Sequence, residues 1–268
     1  MTAIAVTIAG SDSGGGAGIQ ADLKTFSANG VYGASVLAAL TAQNTLGVTG
    51  IHDVPPDFVK AQMDAVYSDL KVTATKIGML SRTEIIETVA DGLQRHETGA
   101  VVLDPVMVAA SGDPLLADTA VDCLMSVLMP LADLITPNLH EAARMLGCDP
   151  AQTEEGMLAQ AHSLMERGAK GVLLKGGHGN GAESSDLFLG SDGTALWLRE
   201  QRIVTENTHG TGCTLSSAIA AGLAKGDTME SAIRSAKTYI HAAIAAADTL
   251  DVGAGHGPVH HFYRLWSK

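Results

Sequence analysis

A glycine-containing segment late in the chain combines residue types that suit group transfer. It reads Asn207-Thr208-His209-Gly210-Thr211-Gly212-Cys213 and leads into an alanine-rich stretch. The glycines at 210 and 212 leave the amides of residues 210–213 exposed at the positive end of the following helix, where they can bind an oxyanion or a transferring phosphoryl group. Cys213 falls in the first turn of that helix, where the pKa of a thiol tends to fall. The pattern predicts an anion hole beside an accessible thiolate, and the alternative is a buried structural cysteine.

Oxygen-bearing side chains follow two predicted strands. Asp104 stands at the end of an apolar strand, and Asn138 and Glu141 stand three apart at a predicted helix start. This spacing places both of the latter side chains at the same end of the helix. Carboxylate and amide oxygens suit magnesium, which keeps several waters and binds largely through phosphate groups. For Asp104 the alternative is a residue that caps the next turn. For Asn138 and Glu141 the alternative is a helix cap in which the two residues bond each other's backbone reciprocally.

A second glycine-rich loop, residues 10–18, directly follows the first predicted strand. Its five glycines let the backbone approach a ligand closely, and its N–H groups converge at the next helix start. It is neither a P-loop, since no Gly-x-x-x-x-Gly-Lys-Ser/Thr occurs anywhere, nor a dinucleotide fingerprint, since position 19 is Ile. The alternative is a tight strand-to-helix turn. Lys175, after another apolar strand, adds a cation, and its alternative is a solvated turn lysine.

Composition excludes several classes of protein. The 268 residues carry a net charge of −12, so no basic stripe exists to neutralise a nucleic acid. No stretch approaches the roughly 18 apolar residues of a membrane span, and no basic region precedes the first apolar run as in a secretory signal. The three cysteines are odd in number and widely separated, with Cys123 and Cys148 interpreted as structural. They form neither a zinc pattern nor a disulfide framework, which favours a cytoplasmic protein.

Short apolar runs alternate with amphipathic helical stretches along the whole chain. Such alternation predicts a mainly parallel sheet covered by helices on both faces. Without a linker or an internal repeat, we expect residues 1–268 to form a single domain. Parallel strands present their carboxyl ends at one edge, so the four loops above should meet there. The predicted strands are 3–9, 33–41, 48–52, 75–79, 100–103, 134–136, 171–174, 186–189, 194–197 and 201–204, and the predicted helices are 18–28, 56–70, 83–95, 115–128, 138–146, 154–167, 212–224 and 229–247.

The order of these features resembles the ribokinase superfamily. Within it, the chain resembles the hydroxymethylpyrimidine and phosphomethylpyrimidine kinases of thiamin synthesis. The resemblance covers the whole chain and implies a three-layer αβα ribokinase-like fold. It also implies ATP-dependent phosphorylation of 4-amino-5-hydroxymethyl-2-methylpyrimidine and its monophosphate, with magnesium as cofactor, and relatives that often pair imply a homodimer. The matching segments are 9–27, 42–45, 75–80, 104–108, 136–141, 175–178, 207–217 and 255–262.

The resemblance implies a role for each candidate residue. Gln43 would hydrogen-bond the aminopyrimidine, because a primary amide can match a ring nitrogen and an exocyclic amine together. Cys213 would take the proton from the substrate hydroxyl; sugar-kinase relatives place Asp there, so the cysteine marks a subgroup. The other implied roles are pocket lining for Asp22, Ala17, Met79 and Val106, nucleotide binding for Lys175, Asn138, Glu141, Asn207 and Thr208, metal binding for Asp104 and Glu141, and an anion hole for Gly210, Thr211 and Gly212.

Two other functions fit the same residues. A kinase of the same superfamily could act on pyridoxal or pyridoxine, which is also a ring bearing a hydroxymethyl arm. A non-catalytic nucleotide- or vitamin-binding protein could use the same fold. The combination of anion hole, base and acidic residues in one chain argues against the second, and direct competition between the two alcohols would test the first.

Overall fold

The computed structural model describes residues 2–107, 116, 118–177 and 182–266. Its strands form one sheet in the order β3-β2-β1-β4-β5-β6-β7-β8-β9. All neighbours from β2 to β7 are parallel, whereas the pairs β2–β3, β7–β8 and β8–β9 are antiparallel. The strands are β1 (Ile4–Gly10), β2 (Tyr32–Asn44), β3 (Gly47–Asp53), β4 (Ala74–Ile77), β5 (Ala100–Leu103), β6 (Leu134–Ile135), β7 (Val172–Leu174), β8 (Glu183–Leu189) and β9 (Ala195–Gln201).

Helices cover both faces of this sheet, as the alternating pattern predicts. Neighbouring residues of β5 point to opposite faces: Val101 and Leu103 join one hydrophobic cluster and Val102 the other. The first cluster packs under α2 to α6 and the second under α1, α7 and α8. The three-layer αβα architecture is confirmed. The helices are α1 (Gly18–Ala28), α2 (Pro56–Asp69), α3 (Thr83–Arg95), α4 (Asp118–Cys123), α5 (Leu139–Leu146), α6 (Glu154–Glu166), α7 (Thr211–Ala224) and α8 (Met229–Ala245).

Two element predictions need correction. The strand predicted at 201–204 does not exist: Gln201 ends β9, and Val204 is 94% exposed. The helix predicted at 115–128 is α4 followed by a π-helical turn, Leu124–Leu128, and a short 3₁₀ turn that contains Pro130. Pro130 has no N–H to continue a helix. Residues 115 and 117 lie outside the described residues. Within the described ranges, no helix is both long and apolar enough to cross a membrane.

Candidate active site

The carboxyl ends of the parallel strands border a cavity of about 760 Å³. Because β1, β4, β5, β6 and β7 all run the same way, the residues that follow them meet at one edge of the sheet. The N-terminal turn of α7 forms a further wall. All four loops singled out in the sequence contribute to this cavity, through residues such as Ala17, Asp104, Glu141 and Gly212.

A buried carboxylate and a lysine meet at the centre of the cavity. Asp104 follows β5 and is 1% exposed, and Lys175 follows β7 and places its Nζ 2.9 Å from Asp104 Oδ1. Thr136 donates to the same oxygen, and Ser216 of α7 lies 3.3 Å from Oδ2. Burial acts to raise the pKa of Asp104, but the charges of Lys175 and Lys76 outweigh it and hold the pKa below its ordinary value. Asp104 is therefore an ionised group, and Lys175 is an ion-paired lysine rather than a solvated one.

Glu141 combines a structural role with a place in the cavity. The Asn138 side chain accepts from the amides of residues 140 and 141, and Glu141 Oε2 accepts from the Asn138 amide at 2.7 Å. This is a complete capping box, so the capping interpretation is right about the local structure. Both residues also line the cavity. Burial raises the pKa of Glu141 to about 7; Lys175 opposes this rise, and the nearby Asp104 adds to it.

The turn before α7 has the geometry of an anion hole. Gly210 is the N-cap residue with φ +79°, a left-handed conformation that favours glycine. A Cβ at position 210 would overlap the carbonyl oxygen of Gly16, so the two glycine-rich loops are in direct contact. A Cβ at position 212 would lie 3.3 Å from Lys175 Nζ. The start of α7 at Gly212 therefore lies beside the Asp104–Lys175 pair, while the Thr211 amide donates to Thr208 O at 3.2 Å.

The thiol of Cys213 does not have the lowered pKa that its helix position predicts. Cys213 is a free, partly exposed cysteine in the first turn of α7. Burial of the thiol raises its pKa to about 11, with Lys76 and a hydrogen bond from the Gly18 amide acting in the opposite direction. The negative charges of Asp22 and Asp104 raise it further. Desolvation outweighs the helix terminus, so the resting protein carries a neutral thiol.

Three backbone amides of the glycine-rich loop 10–18, called the first loop from here on, already have a hydrogen-bond partner. They converge on Asp12, which is 1% exposed: Oδ1 accepts from Gly14 at 2.8 Å, and Oδ2 accepts from Gly16 and Ala17 at 3.0 and 2.8 Å. His209 Nε2 lies 2.8 Å from the same Oδ2. Burial acts to raise the pKa of Asp12, but the hydrogen bonds from His209 and Ala17 hold it below its ordinary value. These three amides of the loop are therefore satisfied by the carboxylate of the loop itself.

The residues predicted to contact a ring line the cavity, with one exception. Gln43, Ala17, Met79 and Val106 line it, whereas Asp22 does not. Asp22 is completely buried on α1 and accepts from Lys76 Nζ at 2.9 Å with both oxygens. Its other partners are the hydroxyls of Thr7 and Ser217. The predicted direct role for Asp22 is corrected: Lys76 lines the cavity, and Asp22 forms an ion pair with that lysine.

Asn207 is also placed differently from its prediction. Thr208 lines the cavity, but Asn207 does not. The side-chain amide of Asn207 donates through Nδ2 to Asp248 Oδ1 at 2.8 Å, and its Oδ1 accepts from the Gly257 backbone amide at 3.1 Å. Its role is therefore to join the loop before α7 to the C-terminal segment. His178, in the segment that follows Lys175, lies outside the described residues.

Four polar residues at the cavity were missed by the analysis of the sequence. Lys76 is completely buried and has a raised pKa, because the charge of Asp22 outweighs the effect of burial. A lysine in the middle of the apolar segment 74–77 is a signal that could have indicated it. The other three, Asp12, Asp186 and Lys237, are at least nine-tenths buried, and nothing in their local spacing distinguishes them from surface charges.

The chemistry of the donors can be compared with what magnesium requires. Asp104 and Glu141 supply carboxylate oxygens next to the anion hole, the ligand type that magnesium prefers. Within the described part of the chain, no three His, Cys, Asp or Glu side chains group as metal ligands. These residues fit a magnesium ion that is bound mainly through nucleotide phosphates and water, and they do not form a complete protein site.

The mainly parallel three-layer fold and the site together define the class of this protein. Its strand ends bring the N-terminus of α7, an ionised Asp104 and Lys175 into one cavity. That combination is typical of a ribokinase-like phosphotransferase, in which positioning and charge stabilisation do most of the work.

Comparison with known proteins gives the family. The model of the phosphomethylpyrimidine kinase family matches residues 12–260. The hydroxymethylpyrimidine/phosphomethylpyrimidine kinase of Rhizobium meliloti (strain 1021) is 62% identical over 266 residues, covering 99% of each chain. That of Escherichia coli (strain K12) is 53% identical over 262 residues, covering 98% of each. The chain therefore belongs to the phosphomethylpyrimidine kinase family and is a kinase.

Solved structures agree with the fold. A Bacillus subtilis pyridoxal kinase, solved as an ADP complex, matches with a TM-score of 0.90 at 37% identity and covers 99% of this chain and 100% of its own. The phosphomethylpyrimidine kinase of Clostridium difficile 630 matches with a TM-score of 0.79 at 42% identity, covering 90% and 99%. The predicted ribokinase-like fold is confirmed.

Proposed function

We propose that the chain uses ATP to phosphorylate the hydroxymethyl group of 4-amino-5-hydroxymethyl-2-methylpyrimidine, and then phosphorylates the monophosphate to the diphosphate for thiamin synthesis. The observation that carries this proposal is that Gln43, Lys175 and Cys213 line one and the same cavity. Its volume of about 760 Å³ suits two small ligands held face to face. The names of the relatives that share 99% and 98% of their length with this chain support the same substrate.

Each end of the cavity has its own task in this mechanism. The primary amide of Gln43 pairs with the ring nitrogen and the exocyclic amine, which directs the hydroxymethyl arm towards Cys213. The amides of Gly210 and Gly212 stabilise the negative charge that develops on the transferring phosphoryl group. The Thr211 amide already donates to Thr208 O at 3.2 Å. Lys175 binds the phosphates of the donor, with Asn138 beside it. Magnesium, when bound beside Asp104 and Glu141, supplies positive charge that offsets the charge of the triphosphate.

Cys213 removes the proton of the attacking hydroxyl. Because its pKa is about 11, only a small fraction is thiolate at neutral pH. Phosphoryl transfer passes through a loose transition state with little bond formation to the attacking oxygen, so it tolerates a scarce base. We therefore expect turnover to rise with pH as the thiolate fraction increases.

A direct assay tests the proposed function. The protein is incubated with magnesium and ATP and with the pyrimidine alcohol or pyridoxal, and mono- and diphosphate products are resolved over time. Phosphorylation of the pyrimidine at a higher kcat/KM than pyridoxal is the expected result. Preference for pyridoxal would make this chain a pyridoxal kinase, the second candidate favoured by the TM-score of 0.90 with such a kinase.

Gln43→Ala tests the placement of the ring. Loss of one neutral hydrogen bond costs about 0.5–1.5 kcal/mol, so the KM for the pyrimidine should rise several-fold to about tenfold, with little change in turnover. Steady-state kinetics with each substrate varied in turn measures this. A KM that rises for ATP but not for the pyrimidine would mean that Gln43 contacts the nucleotide rather than the ring.

Three broader features are also proposed. We expect residues 1–268 to act as one domain, because all described strands belong to one sheet. A cytoplasmic location is supported by the three free cysteines. A homodimer is supported by the exposed apolar side chains Leu40, Leu46 and Ile51 on and beside the β2–β3 hairpin, which a second copy would cover. Light scattering coupled to gel filtration would test the dimer.

A further inference from the structure

Two buried carboxylates that line the cavity, Asp12 and Asp186, each bind a basic side chain and a backbone turn. Asp12 bonds His209 and the loop before α1, and Asp186 bonds Lys237 and the turn after β7. We propose that these pairs are separate positioning devices, one for the phosphoryl acceptor and one for the phosphoryl donor. This inference rests on the proposed function. We name Asp12 with His209 the acceptor clamp and Asp186 with Lys237 the donor clamp.

The acceptor clamp connects the ring-binding end to the anion hole. The carboxylate of Asp12 accepts three amides of the first loop, as described above, and the next residue, Ser13, exchanges two 2.8 Å hydrogen bonds with the backbone of Gln43. His209 directly precedes Gly210 and is 7% exposed. The clamp therefore sets the position of Gln43 relative to the turn that carries Cys213.

The backbone of His209 is itself fixed by the C-terminal segment. His209 N donates to Gly257 O at 3.0 Å, and Val259 N donates to His209 O at 3.3 Å. The side chain of His209 packs so closely on the first loop that a Cβ at Gly16 would overlap it. The two loops cannot shift independently of each other while this pair is intact, because the interior is close-packed.

The donor clamp holds the turn that carries Lys175. Asp186 of β8 is 4% exposed, and its Oδ1 accepts from the Gly176 amide at 2.9 Å. Its Oδ2 accepts from Lys237 Nζ of α8 at 2.6 Å. A Cβ at Gly176 would overlap the carbonyl oxygen of Ser185, so the turn lies directly on β8. The clamp therefore sets the position of Lys175, and through Lys175 the pairing with Asp104.

The two clamps share no residue and no hydrogen bond in the described structure. Asp12 and His209 belong to the loops after β1 and before α7, whereas Asp186 and Lys237 belong to β8 and α8. Perturbations of well-separated groups usually act independently. Each clamp should therefore affect one substrate and leave the other unchanged, which general destabilisation would not do.

Two isosteric variants test this separation, Asp12→Asn and Asp186→Asn. Asparagine keeps the size of the side chain but removes the negative charge to which the backbone amides and the basic side chain are bonded. We measure turnover and the KM for the pyrimidine, and we measure binding of a non-hydrolysable ATP analogue by calorimetry. Asp64→Asn, which alters an ion-paired carboxylate on the surface of α2, serves as the control for loss of charge.

The expected outcome is a crossed pattern. Asp12→Asn should raise the KM for the pyrimidine and lower turnover, with a combined effect of roughly tenfold to a hundredfold, because bonds to a charged group are lost. Its affinity for the ATP analogue should stay within about twofold of the wild type, the scatter expected between independent sites. Asp186→Asn should weaken the ATP analogue by a similar factor and leave the KM for the pyrimidine unchanged.

Several results would overturn the inference. It is wrong if either variant changes both ligands equally, if either changes the opposite ligand, or if both behave like Asp64→Asn. If an Asp variant does not fold, His209→Gln and Lys237→Gln test the same clamps from the partner side. Failure of the proposed function is seen separately in the wild type: if it accepts only pyridoxal, the same measurements with pyridoxal decide the inference.

Discussion

Glu141→Gln separates the two roles of Glu141, and the structure gives the size of its effect on stability. The pKa of Glu141 is about 7 in the folded protein against an ordinary value of 4.5. A carboxyl with a raised pKa binds its proton more tightly in the folded state. The free energy of unfolding therefore falls as the pH rises from 4.5 to 7. This difference in pKa corresponds to about 3 kcal/mol of stability lost by pH 8.

Glutamine removes this loss because it cannot ionise. Its amide oxygen can still accept from the Asn138 amide, so most of the cap should survive at a cost of about 1 kcal/mol. We expect Glu141→Gln to be more stable than the wild type by about 2 kcal/mol at pH 8, and about equally stable at pH 5. For a chain of this size, that gain corresponds to roughly 4–8 °C in melting temperature at pH 8.

Thermal unfolding followed by circular dichroism at pH 5 and pH 8, without magnesium, measures this effect. Glu230→Gln is the control, because Glu230 lies in the first turn of α8 with its side chain 48% exposed. An equal shift at both pH values would refute the reasoning from burial. In a magnesium titration of turnover, Glu141→Gln should be less active and need more metal. Unchanged turnover per folded molecule together with a lower melting temperature would mean that Glu141 only caps α5.

Three further predictions concern Cys213, Gly210 and Lys76. Cys213→Ala should lower turnover by about 10²–10⁴. Wild-type turnover should rise above pH 8, because thiolate forms towards a pKa of about 11, while turnover of the variant stays flat. Near-wild-type turnover in the variant would exclude Cys213 as the base. Gly210→Ala should destabilise in urea by at least about 2 kcal/mol more than Gly226→Ala, because both glycines have positive φ but only the first Cβ meets a carbonyl. Lys76→Met should cost about 3–5 kcal/mol by leaving Asp22 buried and unpaired, and adding Asp22→Asn should restore part of it; additive losses would contradict this pairing.

Local pattern alone predicted most of the fold. Strand and helix periodicities are set by residues within a few positions of each other, so the alternation of elements and the positions of β3, α3 and α7 could be predicted to within a residue or two. The parallel arrangement then required Asp104, Glu141, Lys175 and the turn before α7 to meet at one edge. The error at 201–204 arose where a partner strand decides the structure. The β8–β9 hairpin aligns residues 183–189 with 195–201, so β9 ends at Gln201.

The properties of individual groups were decided only by the tertiary structure. Asp12 and His209 stand 197 positions apart, and no local spacing could indicate that this pair would use the amides of the first loop. The position of Cys213 in a helix predicted a low pKa, but the thiol is desolvated among Asp22, Asp104 and Lys76, which come from three other segments of the chain. Burial and the charges across a cavity depend on segments that are remote in sequence. The sequence alone therefore indicated which loops meet at the site, and packing determined which side chains line it, their charge and their partners.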